Sequence, residues 1–186
     1  MNSGSTDNQT LSFLRQRLEQ VGIRPVTRHG QNFMIDMNLQ RLLLDAADLN
    51  ALDVVLEVGT GTAGLTVHLA RRAAAVVTVE VDRLLPQLAS EELFDYPNVT
   101  LLKQDALRNK NHIDPIVFET VKQQLAVSPD RTFKLVANLP YNVATPIISN
   151  MLSSETIPSV MVVTIRKELG ERIMARSSTK DYSALS

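Results

Sequence analysis

Asn138, Leu139, Pro140 and Tyr141 follow one another and combine an amide, a proline and an aromatic ring. The mostly apolar run at residues 133–137 precedes them and predicts a buried strand. In open α/β sheets, ligands bind outside the carboxyl ends of the strands. An amide oxygen beside a flat ring suits a planar substrate with an exocyclic amine, so the four residues are a candidate catalytic group. A strand followed by a proline turn is the competing interpretation.

A glycine-rich segment forms the second candidate group. It reads GTGTAG at residues 59–64, between an apolar run at 54–58 and a stretch at 65–74 that can form a helix. Glycines such as Gly59 and Gly61 permit a tight turn and let a ligand approach the backbone. The pattern G-x-G-x-x-G predicts a nucleotide-type ligand only weakly by itself.

Two carboxylates follow the next two predicted strands. Glu80 follows residues 76–79 and lies about twenty residues after Gly59, where a carboxylate can accept the ribose hydroxyls of a bound nucleoside. Asp105 follows residues 99–102, where it can accept a hydrogen bond from an adenine amino group. The plainer interpretations are a surface acid at a strand end for Glu80 and a turn residue or helix cap for Asp105.

The predicted strands alternate with predicted helices, which indicates βαβ units and a parallel sheet. Asn38 is expected to cap the second helix, and Thr145 to cap another that has Pro146 at its first position. Residues 1–10 are polar and are expected to form a disordered tail before one domain at 11–186. Outside the segments already given, helices are predicted at 11–21, 39–47, 84–94, 116–125 and 167–175, and a fifth strand at 160–165.

The composition is that of one globular domain and excludes several classes of site. The 186 residues are 44% hydrophobic and 21% charged, with no cysteine for a disulfide, a thiolate metal site or a cysteine nucleophile. The three histidines lack metal-ligand spacing, so no metal is expected.

No run approaches the ~20 apolar residues of a membrane span, and the start does not resemble a secretory signal. We therefore expect a cytoplasmic protein without a membrane partner. The net charge of -1 argues against strong non-specific binding of nucleic acid.

Six segments occur in a distinctive order between Gly30 and Ser186. They are GQNF, EVGTGTAGLT, EVD, QDA, NLPYNVATP and KDYSALS. Together they resemble the ribosomal RNA adenine dimethyltransferase family of KsgA type. The resemblance implies a Rossmann-like class I methyltransferase fold, with a mostly parallel sheet flanked by helices and S-adenosyl-L-methionine as cofactor.

The resemblance also implies roles for individual residues. Gly59 and Gly61 would form the loop beneath the cofactor, Glu80 would hold its ribose hydroxyls, and Asp105 would bind its adenine amine. Tyr141 would stack on the target base. The resemblance implies further cofactor contacts in addition to Gly59, Gly61, Glu80 and Asp105. These are Asn32 and Met34 at the methionine end, and Asn138 in the region of methyl transfer.

By resemblance, the substrate is a pair of adjacent adenines in small-subunit rRNA, each receiving two methyl groups at N6 during ribosome biogenesis. One alternative is an erythromycin-resistance-type methylase that acts on large-subunit rRNA. A second is a non-catalytic rRNA-binding assembly factor that keeps the fold. A third is an NAD-dependent oxidoreductase, which would leave Asp105 and the segment NLPY unexplained.

The chain departs from the family pattern at several positions. Thr60 stands where proline is common, Thr62 stands where a small or apolar residue is common, and Arg166 occupies a position that is usually glutamine. Family members also continue beyond the position of Ser186 with two more strands and a small helical domain. The resemblance therefore leads us to expect that this chain is truncated.

Overall fold

Strand β1 (Asp53–Val58) is buried along its whole length in a computed structural model that describes residues 37–186. The predicted helix at residues 11–21 and the candidate contacts Asn32 and Met34 lie outside the described residues. The β1 strand is central in a parallel sheet of five strands. The order is β3 (Val99–Leu102), β2 (Ala75–Val79), β1, β6 (Thr132–Asn138) and β7 (Val160–Thr164).

Alternate residues of the central strands face two apolar layers, as strand geometry requires. Val54, Leu56 and Val58 share one layer with helices α4 (Pro115–Leu125) and α5 (Ala144–Leu152). Val55 shares the other layer with α1 (Met37–Ala47) and α2 (Gly64–Ala70). Helix α3 (Leu85–Glu92) packs on α2, and α6 (Lys167–Ile173) follows β7. The Rossmann-like sheet flanked by helices that the sequence predicts is confirmed.

The segment between β3 and α4 contains a short antiparallel pair that the sequence analysis did not predict. Strands β4 (Leu107–Asn109) and β5 (His112–Ile113) form it, and the amide of Asp114 bonds to the carbonyl of Ala106. Asp114 then caps α4, because its side chain accepts a hydrogen bond from the Ile116 amide. The pair is too short to show a period-two pattern in the sequence.

Two predicted helix caps are wrong. Helix α1 includes Asn38, so this residue lies inside the helix rather than before it. Helix α5 begins at Ala144, with Val143 in the cap position, so Thr145 and Pro146 lie in its first turn. The Pro140 carbonyl accepts the amides of Val143 and Ala144, which starts the helical turn before Thr145. A proline is tolerated in a first turn because its missing N–H would have no partner there.

A buried ion pair joins α1 to the amino-terminal end of the sheet. Lys134 Nζ lies 2.9 Å from Asp53 Oδ2 and also donates to the carbonyls of Ala47 and Asp48. The Asp53 side chain is fully buried, and the same oxygen accepts the amide of Asn50. The pair holds the carboxyl end of α1 against β1 and β6, at the edge opposite the candidate site.

Candidate active site

The candidate residues that the structure describes gather at the carboxyl ends of the parallel strands. In the register of the sheet, Val58 of β1 pairs with Val79 of β2, and Asn138 of β6 pairs with Thr164 of β7. The Gly59 amide donates to the carbonyl of Val79 over 2.9 Å, which ties the glycine loop to the end of β2. The position agrees with the rule that ligands of open α/β sheets bind at this edge.

The glycine loop takes a backbone conformation that requires small residues. Gly59 and Gly61 have φ angles of 93° and 57°, in the region that glycine adopts without strain. A β-carbon on Gly59 would lie 3.5 Å from Cδ of Pro140 and 3.7 Å from the carbonyl oxygen of Asn138. An added methyl group would thus just make ordinary contact there, so the loop lies beside the Asn138–Tyr141 segment and the two candidate groups are neighbours.

Glu80 lies inside this site rather than on the surface. Its side chain accepts the Gly61 amide at 2.8 Å through Oε2 and the Asp82 amide at 2.9 Å through Oε1. The residue is only 5% exposed, and this burial raises the pKa of Glu80 while the Asp82 and Gly61 amides oppose the rise. The carboxylate therefore holds the glycine loop closed onto β2, which the sequence did not predict.

A second buried acid lies behind the loop. Glu57 Oε2 accepts hydrogen bonds from the hydroxyls of Thr66 at 2.6 Å and Thr78 at 2.7 Å. Burial raises the pKa of Glu57 to about 8, against the opposing effect of the two hydroxyls. Thr60 extends the network, because its hydroxyl lies 2.6 Å from that of Thr78. The threonine that departs from the family pattern at position 60 thus connects the loop to β2.

Asp105 follows β3 at the same edge of the sheet and is exposed. Its Oδ1 accepts the amide of Leu107 at 2.9 Å, which is the turn contact that its plainer interpretation predicted. The neighbouring Gln104 has a buried Nε2 that finds no hydrogen-bond partner among residues 37–186. A buried donor without a partner is rare in a folded protein and calls for an acceptor.

The segment after β6 divides its residues between the core and the surface. Leu139 is buried in the apolar layer beside α5, whereas Tyr141 is 36% exposed. Pro140 lies between them, against Gly59, and its carbonyl accepts two backbone amides at 3.1 Å. Tyr141 therefore remains partly exposed while its neighbours lie in the core or hold the backbone.

Strand β7 and the residues just after it contribute two contacts that sequence reasoning missed. The hydroxyl of Thr164 donates to Oδ1 of Asn138, its partner in the register of the sheet. The guanidinium carbon of Arg166 lies 4.5 Å from the centre of the Tyr141 ring, within the range of a cation–π contact. The departure of Arg166 from the family pattern was visible in the sequence, but its contact required the register of β6 and β7.

Among the described residues, no three His, Asp or Glu side chains are placed to hold a metal ion. In the same part of the chain, no helix is both long enough and apolar enough to cross a bilayer.

Solved structures share this architecture. A dimethyladenosine transferase from Plasmodium falciparum has a TM-score of 0.65 and 25% identity over 81% of this chain and 49% of that one. The 23S rRNA methyltransferase ErmE has a TM-score of 0.59 and 26% identity over 76% of this chain and 50% of that one. The sheet and its glycine loop are those of the class I, S-adenosylmethionine-dependent methyltransferase fold.

Comparisons of sequence are more specific. A family model described as "Ribosomal RNA adenine dimethylase" matches residues 24–186. The chain is 38% identical to the "Ribosomal RNA small subunit methyltransferase A" of Moorella thermoacetica over its whole length, and 40% identical to that of Geobacillus kaustophilus over 96% of it. The chain belongs to the ribosomal RNA adenine dimethylase family. It spans 62% and 58% of the length of these two relatives.

Proposed function

We propose that this chain carries the catalytic site of a small-subunit rRNA adenine N6,N6-dimethyltransferase. The observation that supports it most is the position of Gly59 beside Pro140, which brings a cofactor-type loop close to an amide and an exposed aromatic ring. The relatives named for small-subunit rRNA favour that substrate over large-subunit rRNA. Because the proposed substrate is small-subunit rRNA, we also propose that the protein acts in the cytoplasm.

The residues at the strand ends fit S-adenosylmethionine. Gly59 and Gly61 give the loop the backbone conformation that glycine adopts without strain, and Glu80 presents a buried carboxylate beside them. The exposed Asp105 offers an acceptor to an adenine amine. Asn32 and Met34 complete the proposed set by resemblance alone. The bound cofactor supplies a methyl group on a sulfonium, which is reactive toward nitrogen nucleophiles.

The proposed role of Asn138 is to make the adenine amine a better nucleophile. The N6 lone pair is delocalised into the ring, and acceptors for the N6 hydrogens favour a tetrahedral nitrogen on which the pair is localised. Asn138 Oδ1 accepts a hydrogen bond from Thr164, which shows that this oxygen acts as an acceptor, and we assign it the same role toward N6. Because the Pro140 carbonyl already accepts two amides, Leu139 is the better candidate for the second acceptor.

The proposed role of Tyr141 is to hold the target base outside its stack. Enzymes that modify a base extrude it into a pocket, and stacking on an aromatic ring stabilises a base by ~1–3 kcal/mol. S-adenosylmethionine held by Gly59, Gly61 and Glu80 would supply the methyl group to N6 and would leave as S-adenosylhomocysteine. The amine becomes acidic as it gains the methyl group, so its proton passes to water without a strong base. Positioning and electrostatics supply the catalysis.

Two measurements test this function. Calorimetric titrations with S-adenosylmethionine and with NAD distinguish a methyltransferase from an oxidoreductase, and binding of the first alone is expected. Incubation with isolated small and large ribosomal subunits and methyl-labelled cofactor then identifies the substrate. Label in the small subunit is expected; label in the large subunit alone would favour the erythromycin-resistance-type alternative. Cofactor binding with no label in either subunit would favour the non-catalytic assembly factor.

A further inference from the structure

Arg166 lies two residues after β7, in the cap position before α6, and its guanidinium is near the Tyr141 ring. The carbon-to-centroid distance of 4.5 Å is within the usual limit of about 6 Å for a cation above an aromatic ring. Arg166 is exposed, and no carboxylate within residues 37–186 forms an ion pair with it. The resemblance associates glutamine, not arginine, with this position, so the family pattern does not account for the contact.

At 4.5 Å from the ring centre, the guanidinium can lie with its face on the Tyr141 ring, and this arrangement leaves its edges available. Its five N–H donors point outward in the plane of the group, in a fork that matches the oxygens of a phosphate. Arg166 can therefore restrain the Tyr141 ring and bind a phosphate at the same time. A lysine could supply the charge but not the planar stacking.

We propose that Arg166 is a substrate-positioning residue that supports Tyr141 and binds a phosphate of the RNA beside the extruded adenine. The inference rests on the proposed function, because it assigns the base to the Tyr141 ring. Its consequence is a local cationic contact on a chain whose net charge is only -1. Since the whole chain is not basic, one well-placed arginine is expected to have a measurable effect on RNA binding.

The test uses an RNA hairpin with two adjacent loop adenines, one of them replaced by the fluorescent base 2-aminopurine. Binding to the chain is measured over a series of salt concentrations, with S-adenosylhomocysteine present. Arg166→Gln is expected to raise the Kd about fivefold or more at low salt. It should also reduce the slope of log K against log salt by about 0.7, the value for one contact to single-stranded RNA.

Two further variants separate charge from stacking. Arg166→Lys should keep most of the salt slope, whereas its bound 2-aminopurine should be less quenched because the ring loses its planar support. Arg72→Gln is the matched control: Arg72 is also exposed, and it lies just before β2, at the opposite edge of the sheet. It should bind RNA like the parent chain.

The inference is overturned if Arg166→Gln has the same Kd and salt slope as Arg72→Gln, or if the parent chain does not bind the hairpin. Failure of the proposed function gives a different result. A chain that methylates ribosomal subunits but is indifferent to Arg166 contradicts this inference alone. A chain whose RNA binding depends on Arg166 but which transfers no methyl group contradicts the proposed activity alone.

Discussion

Thr164 donates its hydroxyl hydrogen to Oδ1 of Asn138, across the last residue pair of the β6–β7 register. Because a hydroxyl that donates needs an acceptor, the bond holds the amide with its oxygen toward Thr164. A residue outside the sequence motif thereby sets the orientation of the group that we propose acts on the adenine amine.

Thr164→Val removes that hydrogen bond and nearly preserves the shape of the side chain. A net hydrogen bond contributes about 0.5–1.5 kcal/mol, so we expect kcat for methyl transfer to fall about two- to tenfold. The affinity for S-adenosylmethionine should change less than about twofold, because the proposed role of the lost bond is to orient Asn138 toward the target adenine and not toward the cofactor. Thr120→Val, on the exposed side of α4, is the control. If the two variants have the same kcat, the bond does not position the amide for catalysis.

Glu80→Gln should weaken cofactor binding. The variant loses the charge of a carboxylate that we propose holds the ribose, and a hydrogen bond to a charged group contributes about 1.5–3 kcal/mol. We expect affinity for S-adenosylhomocysteine to fall about 10- to 100-fold, and the ligand-induced rise in Tm to shrink accordingly.

The control for Glu80 is Glu119→Gln, which changes an exposed carboxylate on α4. The comparison is made on the ligand-induced shift rather than on Tm itself, because Glu80 also anchors the amides of Gly61 and Asp82. A shift in Glu80→Gln equal to that of the control would mean that the ribose binds elsewhere.

The raised pKa of Glu57 predicts a stability that falls as pH rises. Its value is about 8 in the folded protein against 4.5 for the unperturbed group, so between these pH values the folded state holds a proton that the unfolded chain has released. The free energy of unfolding should therefore decrease by up to about 1.4 kcal/mol per pH unit in this window. Below pH 4.5 and above pH 8 the contribution of Glu57 should be flat.

Urea denaturation from pH 5 to 8 measures this dependence. Glu57→Gln should remove most of the decrease, because an amide cannot titrate and keeps an oxygen for Thr66 and Thr78. A smaller decrease of the same sign should remain, since burial also raises the pKa of Glu80. If the free energy of unfolding depended on pH equally in the parent and in Glu57→Gln, Glu57 could not be protonated at neutral pH in the folded protein.

Lys134→Met should destabilise the fold by about 3–5 kcal/mol, because it leaves the fully buried Asp53 carboxylate without its cation. Asp53 Oδ1 already lacks a hydrogen-bond partner among the described residues, so the Asn50 amide on Oδ2 would be the main remaining contact of the carboxylate. The control is Lys167→Met, which breaks an exposed pair with Glu171 and should cost less than about 1 kcal/mol. Equal effects in urea denaturation would mean that the buried pair contributes no more than a surface one.

The sequence predicted the parts of the fold that local patterns encode. Strand β3 was predicted to the residue, and β1, β2, β6 and β7 to within one residue at each end, because their apolar runs are bounded by polar or turn residues. The β4–β5 pair was missed because strands of two and three residues carry no pattern. The predicted cap at Thr145 was wrong because the carbonyl of Pro140, not a side chain, starts that helix.

The candidate site likewise contains residues that a local segment predicts and contacts that only the fold creates. Adjacent residues such as Asn138 and Tyr141 were predicted from one short segment. The contacts of Thr164 and Arg166 join residues about 25 positions apart and depend on strand register, which a single sequence does not specify. The bonds that close Glu80 onto Gly61 depend on the fold in the same manner. The roles assigned to the cofactor contacts stay predictions.

Mapping of N6,N6-dimethyladenosine in small-subunit rRNA tests the central claim most directly. Unmethylated small subunits are incubated with S-adenosylmethionine and either the parent chain or Asn138→Ala, and the RNA is digested and analysed by mass spectrometry. We predict two adjacent dimethylated adenines with the parent and a loss of at least about tenfold with the variant, which lacks the proposed acceptor. Equal dimethylation by both chains, or none by a parent chain that binds the cofactor, would contradict the account.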